Sequence, residues 1–294
     1  MLFVVMKWLS RSKYNTTLKG EVEGFEDFGS QGKTNLVANH DTVFMLRGLL
    51  KGWKQPIGYF LFTGPIDSDR LRSLLMQGLD KVFEKGMKVK VVIADQGSNN
   101  RRVFETLCGV AKDKPYLINE EDKIYVLYDP PHLLKNIRNN LKKSGFSCNG
   151  VESSWSYKES LLLFDRKNRY RMAPKLIYRH IYLPSFASLR VRFAAQFLSH
   201  TVAAGLSTLV ESTSCLRKQR RQPPAENFDQ FFNAFNSATW KAIQRMRHGF
   251  MATSGHKEFL LHILSWLTSL QSHSNWKLPC MNGWIMDIHA LLSL

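Results

Sequence analysis

An α/β protein with parallel strands in the second half of its sheet is what this sequence predicts, on three observations. Two apolar runs rich in β-branched and aromatic residues, MKVKVVIA at 87–94 and IYVLY at 124–128, are each followed by a helix-like segment. Strand, helix, strand, helix is the order that parallel neighbours require. From about Gly150 the strand signal vanishes and apolar residues recur at helical spacing, which marks a second module.

Along the chain, Leu2 to Met6 is a short apolar run. Val43 to Leu50 followed by Ile57 to Thr63 suits a small meander, with Pro56 and Gly58 as punctuation. Asp67, Ser68 and Asp69 offer an N-cap to a helix through about Glu84, because Leu71, Leu74, Leu75, Leu79 and Val82 fall on one face. Gly86 ends it. Asp95 to Asn100 is a turn that opens another helix near Arg101, and Pro130 and Pro131 suit the first turn of a helix from His132 to Lys143. In the second module Leu189 to Leu209 and Asn227 to Arg247 read as amphipathic helices, and Phe259 to Leu270 as a buried one. The stretch RKQRRQPP at 217–224 reads as an exposed basic connector.

Composition narrows the partner. A hydrophobic fraction of 44% with 12% aromatics belongs to a folded chain rather than a disordered one. Lys and Arg number 41 against 24 acids, a net charge of +17, so a polyanion is the expected partner. Cys108, Cys148, Cys215 and Cys280 lie far apart without metal-ligand spacing and are expected as reduced thiols in an intracellular protein. The apolar run at the start precedes its bases, the reverse of a secretory signal, and Phe259 to Leu270 is too short for a bilayer.

The run GSQGKT at 29–34 invites a phosphate-loop reading, but the position five residues before Gly32 is Asp27 and no strand-like run leads into it. Asp95 is the most informative acid. It ends the most strand-like run, where an open α/β sheet places its ligand crevice, and is either a Mg²⁺ ligand or the cap of the following helix. Asp129, directly before Pro130, reads as a cap, and His132 as a partly buried structural histidine. Lys135, Arg138 and Lys142 form a basic stripe beside Leu133, Leu134, Ile137 and Leu141; it meets nucleic-acid phosphate or is simply solvated.

Four strings, VEGFEDFG (22–29), LVANHDTVFMLRGLLKGWKQPIGYF (36–60), IADQGSNN (93–100) and YDPPHLLKNIRNNL (128–141), resemble the central region of P-element-type transposases, including the THAP-domain-containing relatives, in order and spacing. The resemblance implies an RNase H-like mixed sheet core interrupted by a mainly helical, GTP-binding insertion domain. Its expected division is 1–149 for the N-terminal part of the core, 150–275 for the insertion and 276–294 for the start of the return.

The resemblance further implies Mg²⁺-dependent cutting and joining of DNA by an acidic triad, and a nuclear location. Only Asp95 carries over. Where the first acid is due the chain reads Met6-Lys7-Trp8, and the last, a Glu on a late helix, is not matched; nor is the zinc-coordinating THAP module. For GTP, family strings at Phe164-Asp165, Ala173 to Leu176 and Phe193 to Gln196 place Asp165 and Lys175 near the nucleotide. The guanine-reading segment aligns with Asp229 and Asn233 in reversed order, which puts guanine specificity in question.

The expected function is therefore that of a transposon-derived DNA-binding protein defective in cleavage and strand transfer, with GTP as a candidate ligand. Two alternatives stay open. One is an active nuclease in which Asp27, Asp129 or Glu21 replaces the missing acids. The other is a non-enzymatic module that pairs with itself or with intact transposase and inhibits it.

Overall fold

The computed structural model describes residues 2–10, 24–48, 53–119, 122–148, 151–184, 187–212, 256–271 and 279–293. The chain divides into two compact units, Met1–Asp129 with His289–Leu294, and Pro130–Ile288.

The first unit is built on an eight-stranded mixed sheet in the order β3-β2-β5-β4-β1-β6-β8-β7. Its strands are β1 (Leu2–Ser10), β2 (Phe25–Asp27), β3 (Lys33–Val37), β4 (His40–Gly48), β5 (Lys54–Phe62), β6 (Val89–Ala94), β7 (Tyr116–Asn119) and β8 (Asp122–Tyr128). The expected meander is present as β1, β4 and β5, paired antiparallel. Strands β1, β6 and β8 run parallel, and β7 folds back antiparallel on β8. Composition did not point to β2, β3 or β7. Each is three to five residues long and exists through the partner it pairs with rather than its own propensity.

Helix α1 (Ser68–Glu84) has the expected cap: the Asp67 carboxylate accepts the backbone N–H of Asp69 at 3.0 Å and Arg70 at 3.2 Å. Its Leu71, Leu74, Leu75, Leu79 and Val82 are all buried. A side chain on Gly78 would meet the Phe44 ring at 3.4 Å, so the glycine lets α1 lie close on β4. Gly86, at φ 70°, turns the chain out of the helix. The short helix α2 (Ser98–Arg101) runs straight into a π-turn over Arg102–Leu107. The run GSQGKT forms a tight turn at Gly29–Gln31 and then β3, not a helix start, and Lys33 pairs with Asp27 at 2.7 Å.

The second unit begins with α3 (Pro130–Ser144), ahead of the change in sequence texture at Gly150. Strands do not vanish there: β9 (Phe146–Cys148) pairs antiparallel with both β10 (Val151–Ser153) and β11 (Leu270–Gln271). The unit also holds α4 (Trp155–Asp165), α5 (Tyr178–Ile181), α6 (Val191–Phe197), α7 (His200–Ser212), α8 (His256–Ser269) and most of α9 (Pro279–Ser293). The single helix expected over Leu189 to Leu209 is split between α6 and α7, because Ser199 stops the first and its carbonyl accepts the N–H of Val202 and Ala203 to start the second. That split stretch, Val191–Val210, is apolar enough to cross a membrane by composition, yet it buries Ala194, Phe197, Val202 and Leu206 in the unit's own core. Residues His289–Leu294 group with the first unit, where Ala290 packs on Val91, Tyr125 and Leu127.

Candidate functional site

Asp95 follows the last residue of β6, at the carboxyl end of a strand flanked by β1 and β8. It does not cap the next helix, whose N-cap is Gly97. Instead its Oδ1 accepts the N–H of Gly97 at 2.9 Å and the side-chain amide of Asn100 at 2.8 Å, closing the turn on itself. Asn99 donates to the Ile66 carbonyl at 2.6 Å and ties the same turn to the entry of α1.

Strand register fixes what stands beside Asp95. On one side β1 pairs parallel with β6, and the last matched pair, Val5 and Ile93, stands two residues before Lys7 on one chain segment and two before Asp95 on the other. On the other side Ala94 pairs with Tyr128, and one further step brings Asp129 level with it; the Asp129 N–H donates to the Ala94 carbonyl at 2.8 Å. The nine residues of β1, LFVVMKWLS, contain no carboxylate. Two-ion phosphodiester chemistry needs several carboxylates around ions roughly 3.5–4 Å apart. Among the described residues no group of three His, Cys, Asp or Glu side chains gathers.

Of the substitute acids, Asp27 lies on β2, four places from β6 in the sheet. The ammonium of Lys33 and the N–H of Gly29 engage its carboxylate and hold it below the usual range. Glu21 lies outside the described residues.

The basic stripe on α3 is not one surface. Arg138 is fully buried; its guanidinium donates to Asn139 Oδ1 and to the Ser188 carbonyl, and burial lowers its pKa. Sequence spacing could not reveal this, because α6 and the segment before it cover that side of α3. Lys142 is exposed and Lys135 half-exposed. His132, expected to be partly buried, is exposed.

The proposed nucleotide residues are divided in the same way. Asp165 is fully buried: Oδ1 accepts the N–H of Met172 at 2.6 Å, Oδ2 that of Ala173 at 3.0 Å, and Arg171 Nε lies 3.5 Å from Oδ2. Both oxygens hold the loop between α4 and α5, so Asp165 positions that loop. Lys175, on that loop, is exposed. Asp229, Asn233, the connector at 217–224 and the helix expected over Asn227 to Arg247 lie outside the described residues.

Sequence reasoning missed Lys158, which is buried with its ammonium 5.1 Å from the Phe197 ring centre and a pKa pushed down to about 8 by desolvation. A signal was available: Lys158, Leu161, Leu162 and Asp165 are spaced as the buried face of α4, so two charged residues stand in an apolar stripe.

Residues 6–108 match the TNP-like RNase H N-terminal domain family, and residues 131–247 match the TNP-like GTP-binding insertion domain family. The Transposable element P transposase of Drosophila melanogaster is 32% identical over 165 residues, which is 55% of this chain and 21% of the relative. The solved structure of the Drosophila P element transposase strand transfer complex covers 99% of this chain with a TM-score of 0.77 at 21% identity. This chain spans 63% of that one. The architecture is thus the expected RNase H-like mixed sheet with a mainly helical insertion.

Proposed function

Since this chain belongs to the P-element-type transposase family, we propose that it binds DNA as a transposase-derived protein whose strand-cleavage chemistry is impaired. The observation that carries the proposal is that β1, which pairs parallel with the strand leading into Asp95, holds no carboxylate where the first acid is due. Without an acid there to hold divalent ions, Asp95 is left as the residual acid of the triad. The net charge of +17, together with the likeness to a transposase solved as a strand transfer complex, supports DNA as the partner. GTP is a proposed ligand through Lys175, and self-association or pairing with intact transposase in the nucleus is a proposed setting.

The test is incubation of the protein with supercoiled plasmid and Mg²⁺ or Mn²⁺. Salt-sensitive retardation without nicking is expected. Nicking that disappears in Asp95→Ala overturns the proposed defect. The place of Asp129 level with Asp95 favours a second reading, an active nuclease with a substituted acid, and that reading requires nicking to disappear in Asp129→Ala as well. A melting shift with GTP but not ATP supports guanine binding, and equal shifts or none count against it.

A further inference from the structure

In the second unit a cleft of about 430 Å³ is lined by Lys142, Trp155, Glu159, Tyr182 and Pro184. Its aromatic wall is pre-stacked. Trp155 stacks on Phe197 with centroids 4.3 Å apart, which fixes the indole from one side, while the Lys142 ammonium lies 5.7 Å from its ring centre. Tyr182 stacks on Tyr178 at 4.2 Å, and both rings are substantially exposed, at 44% and 56%. The Tyr182 hydroxyl donates to Glu159 Oε1, and Glu159 raises the pKa of that hydroxyl. Tyr170, 82% exposed beneath the Arg169 guanidinium, adds another aromatic and cation pair on the loop that Asp165 holds.

Exposed, pre-stacked aromatic rings interleaved with cations cost solvation in the free protein and suit a partner that has flat π-faces and a charged backbone. We infer that the Lys142–Trp155–Tyr182 cleft stacks an unpaired nucleobase of a DNA single strand. The base lies against the indole, Lys142 turns from the ring to the strand's phosphate, and the second Glu159 oxygen accepts an N–H from the base edge. The carboxylate disfavours phosphate within the cleft and so orients the nucleotide with its base inward. This inference rests on DNA being the partner, but concerns a strand without a complement, which the net charge alone does not specify.

The experiment measures binding of the full chain to a labelled oligo-dT strand and to a hairpin duplex of equal charge, for wild type, Tyr182→Ala, Trp155→Leu and Trp155→Phe, each first shown to melt as a folded protein. Loss of one stacking contact is expected to weaken oligo-dT binding by roughly 5- to 100-fold in Tyr182→Ala and Trp155→Leu. Trp155→Phe is expected to retain most of the affinity, and duplex binding to be unchanged in all three. Equal loss on both DNAs, or no loss on oligo-dT, overturns the inference. Wild-type protein that binds duplex but not oligo-dT overturns it while the DNA-binding function stands. Wild-type protein that binds neither overturns both. Displacement of oligo-dT by GTP with the same sensitivity to Tyr182→Ala also overturns it, by assigning the cleft to a free nucleotide.

Discussion

Asn100 donates its side-chain amide to Asp95 Oδ1 at 2.8 Å, so an acid that stands where a metal ligand is expected is also the clasp of its own turn. Asp95→Ala removes this bond and the one from Gly97, leaving the Gly97 N–H without its acceptor and Asn100 with only its longer bond to the residue 95 carbonyl. It is expected to lower unfolding free energy by about 1–2 kcal/mol. Asp95→Asn keeps an acceptor oxygen and should cost less. Urea unfolding of both variants checks this, and an unchanged midpoint in Asp95→Ala would sink it.

The buried Asp165 carboxylate makes a stronger prediction. Asp165→Ala leaves the N–H groups of Met172 and Ala173 without their acceptor and removes the carboxylate beside the Arg171 cation, which keeps its bonds to the Pro174 and Leu176 carbonyls. Breaking such a buried, charge-assisted network costs about 3 kcal/mol or more. A melting temperature equal to wild type would show instead that Asp165 is free to serve a ligand.

Lys158 ties stability to pH. Its folded pKa of about 8 lies below the ordinary value of 10.5, so the unfolded chain holds more protons between those limits and stability rises with pH through that window. Below pH 8 both states are protonated and the full penalty, on the order of 3 kcal/mol, applies. Lys158→Met is expected to be more stable than wild type at pH 7 and to lose this rise. Thermal melts at pH 7, 9 and 10.5 decide it; parallel curves for the two proteins would refute it.

Salt titrations separate the two cations of α3. Lys142→Gln is expected to reduce the slope of log affinity against log salt by about one for DNA, as one phosphate contact is lost. Arg138→Met should leave the slope unchanged, because the guanidinium is buried against Ser188 and Asn139. Filter binding at several salt concentrations measures both, and a reduced slope in Arg138→Met would contradict its burial.

The features legible in the sequence alone are local or periodic. The apolar spacing and Asp67 cap of α1, the β-branched runs of β6 and β8, and the prolines opening α3 all appear where expected, because each depends on neighbours within a few residues. The family strings identified the RNase H-like sheet and the insertion domain. The fate of the charged side chains was settled by the folding of distant segments onto one another. Lys142 and Arg138 look equivalent on a helical wheel, yet the packing of α6 against α3 leaves one in water and buries the other. Asp165 became a loop clamp when Met172 and Ala173 folded back on it, and β1 came beside the strand leading into Asp95 through a parallel pairing that joins Val5 to Ile93, 88 residues apart in sequence. Burial of a polar group and strand register both depend on distant partners, so neither is written in the spacing of the residues themselves.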